Sequence, residues 1–246
     1  MDSNTTKFGN LNLKTTWLGL LDYEAALVHQ SEAADRVRRG GEAEILAMEH
    51  PTVITLGKRG QPLTDILASM EALRGENIKI VATDRGGQAT LHNPGQLVLY
   101  PILPLRRWGL GVRDYVECLE RATAHFLAEF GMDLTRGYEP GLFVGGCKIA
   151  SFGIRVDRGV TLHGVAINVS NKVDAFSLIR QCGMTVAATN LQKEMEEFIS
   201  AAPQWDFPAL AEKWLQLFSE ELNILAAHWP ERAPELGPLE PQTPSA

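Results

Sequence analysis

The stretch from residue 141 to 169 constrains the fold more than any other part of the chain. It reads GLFVGGCKIASFGIRVDRGVTLHGVAINV, and it is rich in β-branched and aromatic residues. Two turn signals, Gly145-Gly146 and Asp157-Arg158-Gly159, divide it into three parts. Short runs of this kind bounded by glycine-containing turns are typical of hairpins. The stretch therefore predicts three consecutive antiparallel strands.

The second turn predicts how the last two of these strands pair. A three-residue loop at Asp157-Arg158-Gly159 would place Val156 opposite Val160 and Lys148 opposite Asn168. Paired residues share a face, and so do residues two apart on one strand. The face of Lys148 would then hold small side chains: Ala150, Gly164 and Ala166. This predicts a slot for a chain-like apolar ligand. For an isolated lysine, a side chain at a strand end that extends into water is the safer interpretation. The same register places His163 on the opposite face, with a structural hydrogen bond.

The remaining elements follow from helical and strand periodicity. Helices are predicted at 22–39, 114–130 and 208–226. Strands are predicted in AEILAMEH, TVITLG, NIKIVAT, GQATLH and QLVLYPIL, the last two joined by a type II turn at Asn93-Pro94-Gly95-Gln96. Hairpin signals outnumber strand–helix–strand signals. The sequence thus predicts an α+β fold with a mixed, mostly antiparallel sheet and packed helices. One domain over residues 1–230 and a disordered, proline-rich tail over 231–246 are expected.

Composition excludes several classes of protein. A net charge of −7 is unlike that of a general nucleic-acid binder. No apolar run approaches the length of a membrane span, and the polar start MDSNTTKFGN lacks the apolar core of a signal peptide. The odd count of three cysteines suggests reduced thiols in a cytoplasmic protein. A local basic cluster, Arg106, Arg107 and Arg113, is either a solvated loop or a docking site for an acidic partner.

The three cysteines differ in their surroundings. Cys118 lies inside a predicted helix, where a free cysteine usually packs as a small hydrophobe. Cys147 precedes Lys148, but successive strand side chains point to opposite faces, so that lysine should not activate it. Cys182 lies in SLIRQCGMTVAATNL, which fits a loop. Residue chemistry alone leaves an exposed reactive thiol and a half-buried loop cysteine both open at this position.

Five ordered blocks resemble the lipoyl(octanoyl) transferases of lipoate biosynthesis. They are EHPTVITLGKRG (49–60), RGGQATLHNPGQLVLYPIL (85–103), GCKIASFGIRV (146–156), TLHGVAINV (161–169) and CGM (182–184). The resemblance covers roughly residues 15–225 and implies a fold like that of the biotin and lipoate protein ligases. It also implies an enzyme that needs no metal or cofactor. The expected reaction moves an octanoyl group from octanoyl-acyl carrier protein to a lysine of a lipoyl domain.

The resemblance also implies roles for particular residues. Cys182 would carry an acyl-thioester, and Lys148 would lower the pKa of that thiol and handle protons. The implied substrate-binding residues are Arg85, Gly86, Gly87, Gln88, Ala89, Thr90, Leu91, His92, Ser151, Phe152, Gly153, Gly164, Val165 and Ala166. His92 would support the site. We also expect Asn168 to orient the lysine ammonium.

The implied partners are an acyl carrier protein and the lipoyl domains of 2-oxoacid dehydrogenase complexes or of the glycine cleavage protein. A monomer is expected, recruiting these acidic partners through a local basic surface that includes Arg155. Two departures from the family pattern stand out: Asn93 replaces a usual glycine, and Gln181 replaces a usual proline before the cysteine. An ATP-dependent lipoate or biotin protein ligase, and a non-catalytic module that binds carrier or lipoyl domains, are the alternatives.

Overall fold

The computed structural model describes residues 13–136, 140–180, 187–196 and 203–227. Within these ranges the chain forms a seven-stranded sheet and a three-stranded sheet. The strands are β1 (Lys14–Leu20), β2 (Glu44–Glu49), β3 (Val53–Leu56), β4 (Lys79–Ala82), β5 (Ala89–His92), β6 (Gln96–Ile102), β7 (Thr135–Arg136), β8 (Gly141–Val144), β9 (Cys147–Asp157) and β10 (Val160–Asn168).

Seven α-helices and one 3-10 helix accompany the strands in the described ranges. They are α1 (Tyr23–Arg38), α2 (Pro62–Asp65), α3 (Met70–Gly75), α4 (Leu105–Trp108), α5 (Val112–Ala128), the 3-10 helix (Val173–Leu178), α6 (Leu191–Met195) and α7 (Phe207–Ala227). The predicted helices correspond to α1, α5 and α7. The side chain of Asp22 accepts a hydrogen bond from the main chain of Glu24, as its predicted capping role requires. None of the described helices is both long and apolar enough to cross a membrane.

The sheets confirm the mixed, mostly antiparallel α+β architecture. The large sheet has the order β1-β2-β6-β10-β9-β8-β7, and the small sheet has the order β4-β3-β5. Only β1–β2 and β3–β4 are parallel pairs among the described strands. The residues of GQATLH and QLVLYPIL, which are adjacent in sequence, belong to different sheets as β5 and β6. The turn between them therefore links the two sheets and does not close a hairpin.

Alternating side chains divide the interior into layers. On β6, Leu97 and Leu99 face the core under α5 and α7, while Val98 and Tyr100 face the core under α1. A third core, which includes Leu91 of β5 and Leu73 of α3, fills the small sheet. Burial of these apolar side chains is the main stabilising contribution, at roughly 25 cal/mol per Å² of apolar surface.

The register of the β9–β10 hairpin differs from the prediction by one residue. Asp157 pairs with Val160, so the connection is a two-residue turn of Arg158 and Gly159. Both turn residues have positive φ, 49° and 82°, as a type I′ hairpin turn requires. The predicted pairing of Val156 with Val160 is therefore wrong. A one-residue slip moves every side chain to the other face.

An irregularity near Lys148 changes the faces again. β8 pairs Leu142 with Ala150 and Phe143 with Lys148, which leaves Ile149 as an extra residue on β9. An extra residue of this kind is a β-bulge, and it breaks the two-residue alternation. Ala150 lies in the core under α5 and α7 instead of beside Lys148. The prediction that Ala150 shares a face with Lys148 was therefore wrong, whereas Gly164 and Ala166 do line the same cavity as Lys148.

Candidate active site

A cavity lies between the two sheets, and Lys148 is part of its wall. Its lining comes from β5 and the loop before it on one side, and from β6, β9 and β10 on the other. Most of the substrate-binding residues predicted from the sequence line it: Arg85, Gly87, Gln88, Ala89, Thr90, His92, Ser151, Phe152, Gly153, Gly164, Val165 and Ala166. The fold thus brings three separate sequence blocks to one cavity.

Two of the predicted residues lie elsewhere. Leu91 is fully buried in the core of the small sheet. The main-chain N–H of Gly86 donates a hydrogen bond of 2.9 Å to the carbonyl of Ile154, which ties the loop to β9. Sequence reasoning missed Tyr23, Val98, Tyr100, Pro140 and His163, all of which line the cavity. Tyr23 is the first residue of α1, so only the tertiary fold could have placed it here.

Lys148 is only 3% exposed although it carries an amine. Its Nζ lies 5.5 Å from the centre of the Phe143 ring, a distance that suits a cation–π contact. Because the Lys148 side chain is buried, it does not extend into water from a strand end, which was the alternative explanation. The hydrogen bonds described for the Asn168 amide group are to other partners, and its predicted contact with the ammonium stays a prediction. Its amide donates to main-chain oxygens, at 3.4 Å to Lys148 and 2.9 Å to Thr189.

The main chain of Lys148 is paired with the segment that follows residues 181–186. Its N–H donates to Ala187 O at 2.8 Å, and its carbonyl accepts from the N–H of Thr189 at 3.0 Å. On the other side of that stretch, the N–H of Arg180 donates to Asp65 O at 2.7 Å. Cys182 and Gln181 themselves lie outside the described residues.

Arg85 forms a fixed positive charge in the cavity wall. Its guanidinium donates to Thr55 Oγ1 and Thr55 O and to the carbonyls of Gly86 and Gln88, at 2.8 to 3.2 Å. Arginine stays protonated in proteins, and here it is 7% exposed. The bonds to Gly86 and Gln88 hold the lining loop in its shape. Arg85 therefore both supports the loop and contributes positive potential to the cavity.

Two buried histidines, His92 and His163, line the cavity, and the buried His50 packs against His92; all three are held neutral. Burial lowers the pKa of His50 to about 4. Burial, followed by the charges of Arg85 and Arg155, lowers the pKa of His163 to about 3. Burial, followed by the neighbouring His50, holds the pKa of His92 well below its usual value. Neutral imidazoles can donate and accept hydrogen bonds here without adding charge beside Arg85.

His92 belongs to a buried polar chain that crosses between the sheets. Its Nδ1–H donates to Gln96 Oε1 at 2.7 Å, and Gln96 Nε2 donates to Asn168 Oδ1 at 2.9 Å. Because the ring donates from Nδ1, a neutral His92 keeps an acceptor at Nε2. Its position in the cavity wall agrees with the supporting role expected for it.

Comparison with known proteins identifies the family. Residues 22–217 match the model of the lipoyl protein ligase A/B catalytic domain. The chain belongs to this family. An octanoyltransferase of Methylococcus capsulatus is 40% identical over an alignment that covers 83% of this chain and 96% of the relative. An octanoyltransferase of Desulfovibrio desulfuricans is 38% identical over 82% of this chain and 83% of its own.

Solved structures of the same fold include ligases. A bipartite lipoate protein ligase from Thermoplasma acidophilum superposes with a TM-score of 0.61 at 14% identity, over 86% of this chain and 83% of its own. A biotin protein ligase from Aquifex aeolicus, in complex with biotin and ATP, gives 0.53 at 13% identity, over 87% and 72%. The ligase-like fold that was predicted is therefore confirmed.

The departure of this family member at Asn93 has a structural use. Asn93 is buried, its amide donates to Lys172 O at 2.9 Å, and its Oδ1 accepts from Asn171 Nδ2 at 2.9 Å. A glycine could make neither bond. The turn has the predicted geometry, with Gly95 at φ 91° and the N–H of Gln96 donating to Asn93 O. Asn93 thus fastens the turn to the start of the 3-10 helix.

The two other cysteines differ in burial. Cys118 is 3% exposed in the core under α7, where burial and then the nearby Glu221 raise the pKa of its thiol to about 12. Such a thiol is protonated and inert, as its helical position predicted. Cys147 is half-buried beside the Gly145-Gly146 turn and does not line the cavity.

Proposed function

We propose that this chain transfers an octanoyl group from octanoyl-acyl carrier protein to a lipoyl-domain lysine through a thioester on Cys182. The protein is an octanoyltransferase of lipoate biosynthesis, since its relatives at 36–42% identity over most of the chain carry that activity. The carrier-protein donor, the covalent route and the residues are the proposed parts. The acceptors would be lipoyl domains of 2-oxoacid dehydrogenase complexes or of the glycine cleavage protein.

The reaction takes place in two balanced steps. The Cys182 thiolate attacks the octanoyl carbonyl, a new C–S bond forms, the C–S bond to the carrier breaks, and the leaving carrier thiolate takes a proton from the Lys148 ammonium, which leaves Lys148 neutral for the second step. The acceptor lysine amine then attacks the Cys182 thioester, an amide bond forms, and the Cys182 thiolate leaves. Lys148 accepts the proton released by the amine. No ATP is required because a thioester is a more reactive acyl donor than the amide that results.

One observation carries the proposal. Lys148 is buried in the wall of the cavity that the predicted binding segments line, and its main chain is hydrogen-bonded to Ala187 and Thr189. Ala187 follows Cys182 by five residues, so the Cα atom of Cys182 cannot lie further than roughly 18 Å from that of Ala187. A nearby ammonium favours the thiolate form of a cysteine. The cavity then accommodates the alkyl chain of the acyl group.

Intact-mass spectrometry tests this route. Wild-type protein mixed with octanoyl-acyl carrier protein should gain one octanoyl group, and Cys182→Ser should not. Cys147→Ser is the matched control and should be acylated like the wild type. An adduct that disappears in Cys147→Ser and persists in Cys182→Ser would overturn the assignment.

A second assay with the same purified protein distinguishes a transferase mechanism from a ligase mechanism. Incubation with octanoyl-acyl carrier protein and an apo-lipoyl domain, without ATP, should give octanoylated domain. Product that forms only when ATP and free octanoic acid are supplied would contradict the transferase mechanism.

A further inference from the structure

Two cavities of the described structure meet at His163. The first is the cavity that contains Lys148. The second is a groove between α1, the residues after β4 and the β9–β10 hairpin, and its lining includes Gln30, Asp84, Arg155, Asp157, Leu162 and His163. His163 is the one described residue that lines both. Its side chain is therefore part of the wall between them.

His163 is held firmly in this wall. It is 2% exposed, and its Nε2 lies 2.8 Å from Asp84 Oδ1. Its main-chain N–H donates to Gln30 Oε1 at 2.7 Å, and its ring meets the Tyr100 ring edge-on at 5.8 Å. A positive φ of 56° turns the imidazole out of the regular alternation of β10. The predicted structural hydrogen bond of His163 is therefore present, but its predicted place away from the lysine cavity was wrong.

The two sides of the wall differ in chemistry. The cavity side offers Val98, Val165, Ala166 and the glycines at 153 and 164, which suit an alkyl chain. The groove side offers ionic groups: Arg155 is ion-paired to both Asp84 and Asp157. An alkyl chain that crossed the wall would meet charged groups that prefer water, and its burial there would be unfavourable.

Along β9, two residues of the cavity lining, Ser151 and Gly153, lie between Lys148 and the level of His163. His163 pairs with Ile154, six residues beyond Lys148 along β9. The Lys148 side chain reaches Gly141, which pairs with Ser151, so its amine lies about three residues from the level of Ile154. At about 3.3 Å per residue this is roughly 10 Å, a distance that an octanoyl chain spans and a dodecanoyl chain exceeds. An acyl group whose carbonyl is held at Lys148 would therefore extend its tail along Ser151 and Gly153 toward the imidazole.

We propose that His163 closes the acyl cavity and limits the length of the acyl chain that the enzyme accepts. This inference rests on the proposed function of the same cavity. A longer chain must displace the imidazole, break its bond to Asp84 and place its last carbons in the charged groove. Octanoyl donors end before the wall, whereas dodecanoyl donors do not.

Substitution of His163 tests the inference. His163→Gly removes the ring and tolerates the positive φ at this position, and His163→Asn provides a second variant for the same reason. Single-turnover acylation is measured with octanoyl-pantetheine and dodecanoyl-pantetheine. The ratio of the dodecanoyl to the octanoyl rate constant should rise at least about tenfold in either variant. Leu162→Ala, which lines only the groove, is the matched control and should leave the ratio unchanged.

The outcomes separate this inference from the proposed function. A wild type that forms no acyl adduct with either donor refutes the function itself. If the wild type is acylated, and folded His163→Gly and His163→Asn show the same length preference as the wild type, then His163 does not limit the chain length and the inference is refuted. A rise in the ratio for Leu162→Ala equal to that for His163→Gly would also refute it, because the groove lining and not the partition would then set the preference.

Discussion

Gly141 offers a way to move Lys148 without changing its chemistry. Gly141 is the first residue of β8 and is buried against the lysine side chain. A methyl group added there would lie 2.7 Å from Lys148 Cε and 2.8 Å from the carbonyl oxygen of Ala150. Carbon atoms pack at about 3.5 to 4.0 Å, so Gly141→Ala creates an overlap of roughly 1 Å.

The lysine side chain must move to relieve its contact with the methyl group, and the contact with the Ala150 oxygen requires a shift of the β8 main chain. The Ala150 oxygen belongs to the paired main chain of β9, whereas the lysine stem has several rotatable bonds. A displacement of about 1 Å at a reacting group can cost around 100-fold in rate. We therefore expect the acylation rate constant of Gly141→Ala to fall by roughly 10- to 100-fold. Overpacking should also lower the free energy of unfolding by about 1–3 kcal/mol.

The assay is single-turnover acylation by octanoyl-acyl carrier protein, followed by intact mass, with urea unfolding of the same samples. Gly75→Ala is the control, because a methyl group at Gly75 would meet no heavy atom within 4 Å. It should leave the acylation rate unchanged. A folded Gly141→Ala protein with the wild-type rate constant would show that the position of Lys148 does not limit the reaction, and the reasoning would fail.

Two further predictions concern stability. The pKa of His50 is about 4 in the folded state and near 6.5 when unfolded, so the unfolded chain binds more protons between these values. The burial of His50 should contribute about 3 kcal/mol to the fall in the free energy of unfolding as the pH drops from 6.5 to 4, beside contributions of the same sign from His92 and His163. His50→Gln should therefore make the fall of the urea midpoints across that range shallower than in the wild type. Asn93→Gly removes the bonds to Lys172 and Asn171 and should lower the free energy of unfolding by about 1–3 kcal/mol without changing the acylation rate. An unchanged urea midpoint, or a lost rate, would contradict this account of Asn93.

The sequence predicted the elements more reliably than their register. The long helices and the three strands of residues 141–169 carry strong local signals, and they are present. The hairpin was misjudged because Arg158 adopts positive φ, which is uncommon for a residue that is neither glycine nor asparagine. The bulge at Ile149 depends on how β8 meets β9, and no local pattern encodes that pairing. Both errors are of a single residue, and each reverses a face of the sheet.

The site was predictable to the extent that each binding segment is continuous in sequence. Ser151–Gly153 and Gly164–Ala166 lie on neighbouring strands, and the family pattern marked both. Tyr23 and Tyr100 were missed because α1 and β6 approach the cavity only through the packing of the two sheets. His163 was assigned to the wrong face because a regular strand was assumed where the main chain turns to positive φ.

The charges around the cavity suggest why its histidines remain neutral. Arg85 is buried and permanently charged, and it lowers the pKa of both His92 and His163. A second buried positive charge beside it would be costly, so the imidazoles remain as hydrogen-bonding groups. The positive potential in the cavity then does not vary with pH near neutrality, and it favours a thiolate or an oxyanion. Any change of acylation rate with pH above about 6 should accordingly report the reacting thiol and amine and not these histidines.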